Sequence, residues 1–112
     1  MRVIVNVSAG GGVDIVARIA AQHMSSVFGQ TFVVDNRTGA GGMIGTELAA
    51  RSAPDGYTLL MVTATVINST LMNTNATYDM VRDFAPISLM VTTPYVFVVH
   101  PSTPVHNINE LI

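Results

Sequence analysis

The sequence predicts a single α/β domain whose mostly parallel sheet is flanked by helices. Short apolar runs alternate with stretches of helical period along the first half of the chain. Two of the junctions between them are glycine-rich, at residues 10–12 and 39–45. A strand that ends in a glycine turn and leads into a helix is the repeating unit of parallel sheets. The length of 112 residues is that of one small domain.

The first unit begins with the apolar run Val3–Val7, continues through the triple glycine and enters a helix at Val13. Gly29 provides the C-terminal stop of that helix. Asp14 and Arg18 lie opposite the apolar stripe, at the four-residue spacing of an ion pair. The stripe consists of Val13, Val16, Ala17, Ala20, Met24, Val27 and Phe28.

The second unit repeats this order. A short strand at Phe32–Asp35 is followed by the second glycine turn and by a helix from Met43 to about Ser52. The inner face of that helix is predicted to consist of Ile44, Leu48 and Ala49. A turn at residues 54–56 contains proline and glycine, and it leads to a third strand at Tyr57–Val62.

The second half of the chain is less regular. Residues 63–77 are rich in hydroxyl and amide side chains and favour a short helix at their start. A turn at residues 79–83 precedes two predicted strands, Ile87–Val91 and Tyr95–Val99. Asn107 is suited to cap a helix that begins just before the chain ends, so we expect the chain to be part of a longer one.

Charged residues are scarce and unevenly placed. They make up 11% of the chain, against about 25% in typical domains, and none occurs between Phe84 and Asn109. One interpretation is a pair of strands buried in the sheet. The other, which we favour, is a surface intended for further chain or for a partner.

Composition excludes several classes of function. The formal net charge of -2 and the lack of lysine give no support for binding nucleic acid or an acidic membrane surface. The lack of cysteine excludes disulfides and thiolate metal sites, and the three histidines lack the spacing of a metal motif. No apolar run is long enough to span a bilayer, and the start has no signal peptide. We therefore expect no metal or cofactor, and an anionic ligand would be held by helix ends and hydroxyl groups.

A dinucleotide-binding or enzymatic α/β domain is the alternative. A strand, the glycines at 10–12, a helix, a second strand and then Asp35 follow the Rossmann order. However, Ile15 occupies the position of the third fingerprint glycine, and no Gly-Lys-Ser/Thr follows either turn. The serines lack a nucleophile elbow, so we expect no catalytic site.

Four ordered blocks of sequence carry a more specific resemblance. They are Gly10–Arg18, Val34–Gly45, Ala53–Leu60 and Tyr78–Ser88, and together they extend over most of the chain. The chain resembles the Bug family, the extracytoplasmic solute receptors of tripartite tricarboxylate transporters.

The resemblance implies the first part of lobe one of a type II periplasmic binding protein. Residues 1–99 would belong to lobe one, and residues 100–112 would begin the crossing into lobe two. It also implies a periplasmic location, a membrane permease as partner, a small organic acid such as a di- or tricarboxylate as ligand, and no enzymatic activity. The remaining segments of such a receptor would cover the uncharged surface from Phe84 onward.

The resemblance also implies the ligand site. Lobe one would hold a ligand carboxylate through the two glycine turns and the loop after the third strand. The residues carried over are Ser8, Ala9, Gly10, Gly11, Gly12, Gly41, Gly42, Met43, Thr63, Ala64, Thr65 and Asn68. We expect Asp14 to face inward as structural support rather than to contact an anion. Ser8, Ala9 and Thr38 depart from the family pattern, which commonly has proline there.

A site that two lobes normally enclose would remain open in these 112 residues. We therefore expect weak binding of the acid or none. A third possibility is self-association of the chain, with Phe84–Val99 at the interface.

Overall fold

The computed structural model describes residues 1–73 and 76–112. Its centre is a parallel sheet of three short strands in the order β2-β1-β3, with β1 at Arg2–Val5, β2 at Val33–Asn36 and β3 at Thr58–Met61. Ile4 of β1 lies opposite Asp35 in β2 and opposite Leu60 in β3. The predicted parallel α/β arrangement is confirmed, and the bounds of the first three predicted strands lie within one or two residues of the observed ones.

In the described residues four helices accompany the sheet, and a short 3₁₀ turn at Ala40–Gly42 precedes the second of them. They are α1 at Gly12–Phe28, α2 at Met43–Ala50, α3 at Ala64–Met72 and α4 at Ile108–Leu111. Gly29 ends α1 in the left-handed conformation, with φ 62°. The side chain of Asn107 caps α4, accepting hydrogen bonds from the backbone N–H groups of residues 109 and 110. Both helix ends are as the sequence predicted.

The two faces of β1 carry different layers of the core. Val3 and Val5 pack with Ala17 and Ala21 of α1 and with Phe32. Because side chains alternate along a strand, Ile4 and Asn6 lie on the other face, where α2 packs against β1 and β3. The sheet is therefore covered by helices on both faces.

The predicted buried faces of the helices are partly wrong. Val27 and Phe28 are exposed at the end of α1. Asp14 lies opposite the predicted apolar stripe but faces inward, as expected from its supporting role, with 2% of its surface accessible. In α2, Ile44 is 53% exposed, and Gly45 and Thr46 are buried instead. The reason is the close approach of α2 to the end of β1, which leaves room only for a glycine and a small side chain.

The predicted strands at Ile87–Val91 and Tyr95–Val99 are also wrong. In the described part of the chain, residues 84–99 adopt no regular secondary structure and are almost entirely exposed. A strand needs a neighbour to satisfy its backbone groups, and the three-stranded sheet does not extend to this segment. The interpretation of a surface intended for further chain or a partner is consistent with this exposure.

Within residues 1–73 and 76–112, no helix has the length and apolar character that crossing a bilayer requires.

Replacing Gly45 with alanine is expected to lower the free energy of unfolding by about 1–3 kcal/mol, the usual cost of overpacking. A Cβ atom at Gly45 would collide with the carbonyl oxygen of Arg37 and lie 3.1 Å from the Cα and Cβ atoms of Asn6. Urea unfolding followed by circular dichroism measures the change.

Gly12→Ala is the matched control, since a Cβ at Gly12 meets nothing within 4 Å. We expect its free energy of unfolding to stay within about 0.5 kcal/mol of the wild type or to rise slightly. Equal losses in the two variants would contradict the packing described for α2.

Candidate functional site

The first glycine turn follows β1 and leads into α1. Gly10 has φ +84°, a conformation that favours glycine. Gly11 is the N-cap of α1, and α1 has no side-chain cap hydrogen bond at this end. Ser8, Ala9, Gly10 and Gly12 are exposed. The start of α1 therefore presents backbone N–H groups and the positive end of its dipole at the surface.

The carboxylate of Asp14 holds this turn in place through hydrogen bonds. Its Oδ2 accepts hydrogen bonds from the backbone N–H of Gly10 and from Nε of Arg18, both at 2.9 Å. Its Oδ1 accepts one from Nδ2 of Asn36 at 2.9 Å, and the same amide donates to the carbonyl of Val7 at 3.1 Å. The predicted ion pair with Arg18 is present, and the carboxylate joins the first turn to the end of β2.

These hydrogen bonds keep Asp14 ionised. The hydrogen bond from Arg18, followed by those from Gly10 and Asn36, lowers the pKa of Asp14 from 3.8 to about 2. The Arg18 guanidinium, in turn, offsets the negative charge that a buried carboxylate places beneath the first turn.

The second glycine turn follows β2 and leads into α2. Residues 39–42 all have positive φ, including Ala40 at 47°. The turn closes with a hydrogen bond from the N–H of Gly42 to the carbonyl of Gly39, at 2.9 Å. Gly42 is the N-cap of α2, which also lacks a side-chain cap. Gly41 is exposed, Gly42 buried and Met43 half-buried.

Gly42 lies next to the residue that follows β1 and next to α3. A Cβ atom built on it would lie 2.9 Å from Cγ2 of Val66 in α3 and 3.2 Å from Nδ2 of Asn6, directly after β1. The amide of Asn6 also donates to Oγ1 of Thr46 at 3.1 Å, and that hydroxyl donates to the carbonyl of Gly42 at 2.9 Å. The second turn is thus held against both the end of β1 and the start of α3.

The third loop follows β3. Thr63 is the N-cap of α3 with extended backbone, and its side chain makes no capping hydrogen bond. Thr63 is half-buried, while Ala64, Thr65 and Asn68 are exposed. Because all three strands are parallel, the starts of α1, α2 and α3 lie at the same edge of the sheet, and none has a side-chain cap. This edge and its three helix starts are here called the amide rim.

Sequence reasoning missed three polar side chains that build the rim, namely Asn6, Asn36 and Thr46. The first two could have been noticed in the sequence, because Asn6 interrupts the apolar run Val3–Val7 and Asn36 directly follows the predicted strand Phe32–Asp35. Asn6 is 2% exposed, and its Oδ1 has no hydrogen-bond partner in the described part of the chain. Thr46 gave no signal, since its importance comes from the close packing of α2.

Asp35 does not favour the dinucleotide alternative. Its Oδ2 accepts from the Arg2 guanidinium and its Oδ1 from Nε of Arg37, at 2.5–2.9 Å. The hydrogen bond from Arg2 lowers the pKa of Asp35, and the hydrogen bond from Arg37 lowers it further by a smaller amount. Both oxygens are therefore occupied by arginine rather than held ready for a ribose hydroxyl.

Two shallow grooves lie elsewhere on the surface. One, of about 260 Å³, is formed by α1 and β2 around Arg18 and Phe32. The other, of about 200 Å³, lies between Phe97 and α4. Neither contains any of the residues predicted to bind a ligand.

Comparison with known proteins agrees with this architecture. Residues 16–112 match the family described as the tripartite tricarboxylate transporter family receptor. A protein encoded in the tcbD-tcbE intergenic region of Pseudomonas sp. strain P51 is 39% identical over 92% of this chain and 31% of its own length. Protein BugT of Bordetella pertussis is 36% identical over 100% of this chain and 35% of its own. The chain thus spans about a third of the length of these curated relatives.

A solved structure is similar as well. It is that of MatC (Rpa3494) from Rhodopseudomonas palustris with bound malate, which is 33% identical to this chain with a TM-score of 0.72. The match covers 80% of this chain and 31% of MatC. The 33% identity shows that the two sequences are similar, and the TM-score of 0.72 shows that the two folds are similar as well.

We expect Asp14→Asn to lower the free energy of unfolding at neutral pH. We also expect this free energy to depend less on pH in acid than it does in the wild type. Because the pKa of Asp14 falls from 3.8 to about 2 on folding, its ionisation stabilises the fold fully above pH 3.8, and this contribution is lost as the pH falls towards 2. An asparagine would also direct an N–H group at one of the three donors around it. Urea midpoints measured from neutral pH down to pH 2 test this.

Asp55→Asn is the control, since Asp55 is an exposed turn residue that caps the N–H of Tyr57. We expect the control to retain the wild-type dependence on pH. If Asp14→Asn retained it too, the assigned hydrogen bonds of Asp14 would be wrong.

Proposed function

This chain belongs to the tripartite tricarboxylate transporter receptor family, and from that premise we propose that it supplies lobe-one residues of a periplasmic receptor for a small organic carboxylate. In the proposal, residues 1–99 form the first part of lobe one and residues 100–112 begin the crossing into a second lobe. The ligand is bound between the two lobes and delivered to a membrane permease. Catalysis has no part in this function.

The observation that carries the proposal is the amide rim. Three helices begin at one edge of the sheet without side-chain caps, and Gly42 lies close to Asn6 after β1 and to Val66 of α3. Uncapped N–H groups at a helix start bind anions, and each helix dipole adds about 0.3–1 kcal/mol for a charge at its N-terminus. A carboxylate suits the rim because it accepts several hydrogen bonds at once.

In the proposed site the backbone, and not a charged side chain, binds the anion. The chain has no lysine, and Arg18 and Arg37 are paired with Asp14 and Asp35. An anion at the rim therefore meets N–H and hydroxyl groups rather than a free cation. We propose the following residues as the lobe-one contacts: Ser8, Ala9, Gly10, Gly11, Gly12, Gly41, Gly42, Met43, Thr63, Ala64, Thr65 and Asn68.

Asp14 acts in this proposal as a support. Its carboxylate holds the N–H of Gly10 and the amide of Asn36, so the position of the first turn depends on it. The relative MatC, whose structure contains malate, supports a small dicarboxylate as the ligand class to test first.

The chain by itself is expected to bind malate weakly, with a dissociation constant on the order of 1 mM or higher, because an open site buries little of a ligand's surface. Titration of ¹⁵N-labelled chain with malate, followed by amide chemical shifts, measures this binding. Shifts should concentrate at residues 8–12, 41–43 and 63–68. Dimethyl malate, which has no carboxylate, should leave them unchanged.

A matched pair of variants isolates one backbone N–H. Gly12 is the first residue of α1, where proline is well tolerated, and the extended Gly11 before it suits a following proline. Gly12→Pro removes the N–H and should weaken malate binding about threefold or more, whereas Gly12→Ala keeps the N–H and should bind as the wild type does.

Shifts confined to exposed arginines, or equal binding by both Gly12 variants, would contradict the proposed site. Saturable binding of NAD or ATP at the rim, in preference to malate, would favour the nucleotide alternative instead.

A further inference from the structure

The connection between α2 and β3 contains a dipeptide that is open to a backbone rearrangement. Asp55 is followed by Gly56, whereas the other aspartates of the chain, at positions 14, 35, 79 and 83, are followed by larger residues. An aspartate carboxyl group can react with the backbone nitrogen of the next residue. A glycine leaves that nitrogen unhindered, because it has no Cβ atom. The sequence therefore favours Asp55 among the aspartates for this reaction.

The structure holds the two reacting groups of this dipeptide close together. Oδ1 of Asp55 accepts a hydrogen bond from the backbone N–H of Tyr57 at 2.9 Å, which is the arrangement of an Asx turn. The ring that this hydrogen bond closes contains both Cγ of Asp55 and the nitrogen of Gly56. The carboxyl group is therefore folded back towards the backbone nitrogen with which it can react.

The nitrogen of Gly56 is available for the reaction. In the described part of the chain its N–H donates no hydrogen bond. Gly56 has φ +78°, and a Cβ atom built on it would meet nothing within 4 Å. Asp55 and Gly56 are both exposed. A ring can thus form here without displacing a neighbouring group, and water can reach it.

The other aspartates are held in ways that oppose the same reaction. The N–H of Ile15, which follows Asp14, donates a hydrogen bond in the first turn of α1. Asp35 lies within β2, and both of its carboxylate oxygens accept hydrogen bonds from arginine. The residues after Asp79 and Asp83 have bulky side chains, which hinder approach to the backbone nitrogen. Both the sequence and the structure thus single out Asp55.

We propose that Asp55 is a site of spontaneous rearrangement to isoaspartate through a five-membered succinimide ring. The nitrogen of Gly56 forms a bond to Cγ of Asp55. A hydroxyl group leaves the carboxyl carbon and a proton leaves the nitrogen, so one water is released and nothing is oxidised or reduced. A second water then opens the ring. Attack at Cγ restores aspartate, whereas attack at the backbone carbonyl carbon gives isoaspartate, in which the main chain runs through the former side chain.

The product lengthens the backbone by one carbon atom just before β3. The carbonyl of Tyr57 accepts a hydrogen bond from the N–H of Arg2 at 2.8 Å, where the pairing of β1 with β3 begins. The rearrangement therefore alters the entry of the chain into the sheet. Because the strands are parallel, this connection lies at the opposite edge of the sheet from the amide rim. The proposal does not depend on the proposed ligand function.

Incubation of the folded chain in H₂¹⁸O at neutral pH and physiological temperature tests the proposal. Each opening of the ring adds one ¹⁸O atom, whichever carbonyl the water attacks. After transfer to ordinary water, trypsin cleaves at Arg51 and Arg82 and releases the peptide that contains Asp55. Electron-transfer fragmentation then locates the label and distinguishes isoaspartate from aspartate. We expect the label and isoaspartate at Asp55, and neither at the other aspartates.

Asp55→Glu is the matched control. It keeps an exposed carboxylate in the turn, but its reaction would require a less favourable six-membered ring, so the label at this position should be lost. A label at residue 55 that persists undiminished in this variant would overturn the proposal. So would equal labelling of all the aspartates, since the turn would then have no special reactivity.

A parallel incubation in urea separates the effect of the sequence from that of the fold. Label at Asp55 in both the folded and the unfolded chain would support the proposal. Label in the unfolded chain alone would show that the folded turn blocks the ring, and it would overturn the proposal. The lack of label at Asp55 in both samples would overturn it as well.

Discussion

The close approach of α2 to the end of β1 is the contact on which the rest of the site depends. Gly45 allows it, since any larger residue would collide with the Arg37 carbonyl and Asn6. Gly42 extends this close packing to α3, because its lack of a side chain leaves room for Val66. A parallel sheet places its loops at one edge, and this packing brings the second turn against the residue after β1 and against α3. Small residues are therefore structural necessities here as well as sources of accessible N–H groups.

Electrostatics at this edge involve a balance of opposite effects. Asp14 is a buried carboxylate beneath the turn where an anion would bind, and by itself it would repel that anion. Arg18 offsets its charge, and the N–H of Gly10 and the amide of Asn36 satisfy its oxygens. The carboxylate therefore orders the turn at a reduced electrostatic cost to the site. In a chain without lysine, helix dipoles and N–H groups supply the remaining attraction.

Much of the fold could be predicted from local sequence, because glycine turns and apolar periodicity act over a few residues. Gly29 and Asn107 mark observed helix ends for this reason. The exposure of Ile44 could not be predicted, since it depends on the contact of α2 with β1, two elements distant in sequence. The strands predicted within residues 87–99 are absent for a related reason. Their composition favours strands, but a strand requires a neighbouring strand to pair with. In the site, the glycine turns were recognisable, whereas Thr46 depends on the packing of α2.

A crystal structure of the chain with selenodiacetate, a dicarboxylate whose selenium gives an anomalous signal, would show whether the amide rim binds a carboxylate. We expect an anomalous peak at the amide rim, with a carboxylate within hydrogen-bond distance of the N–H groups of Gly12 and Met43. Peaks only beside exposed guanidinium groups such as those of Arg51 and Arg82 would contradict it. They would show that side-chain charge, and not the backbone at three helix starts, attracts the acid.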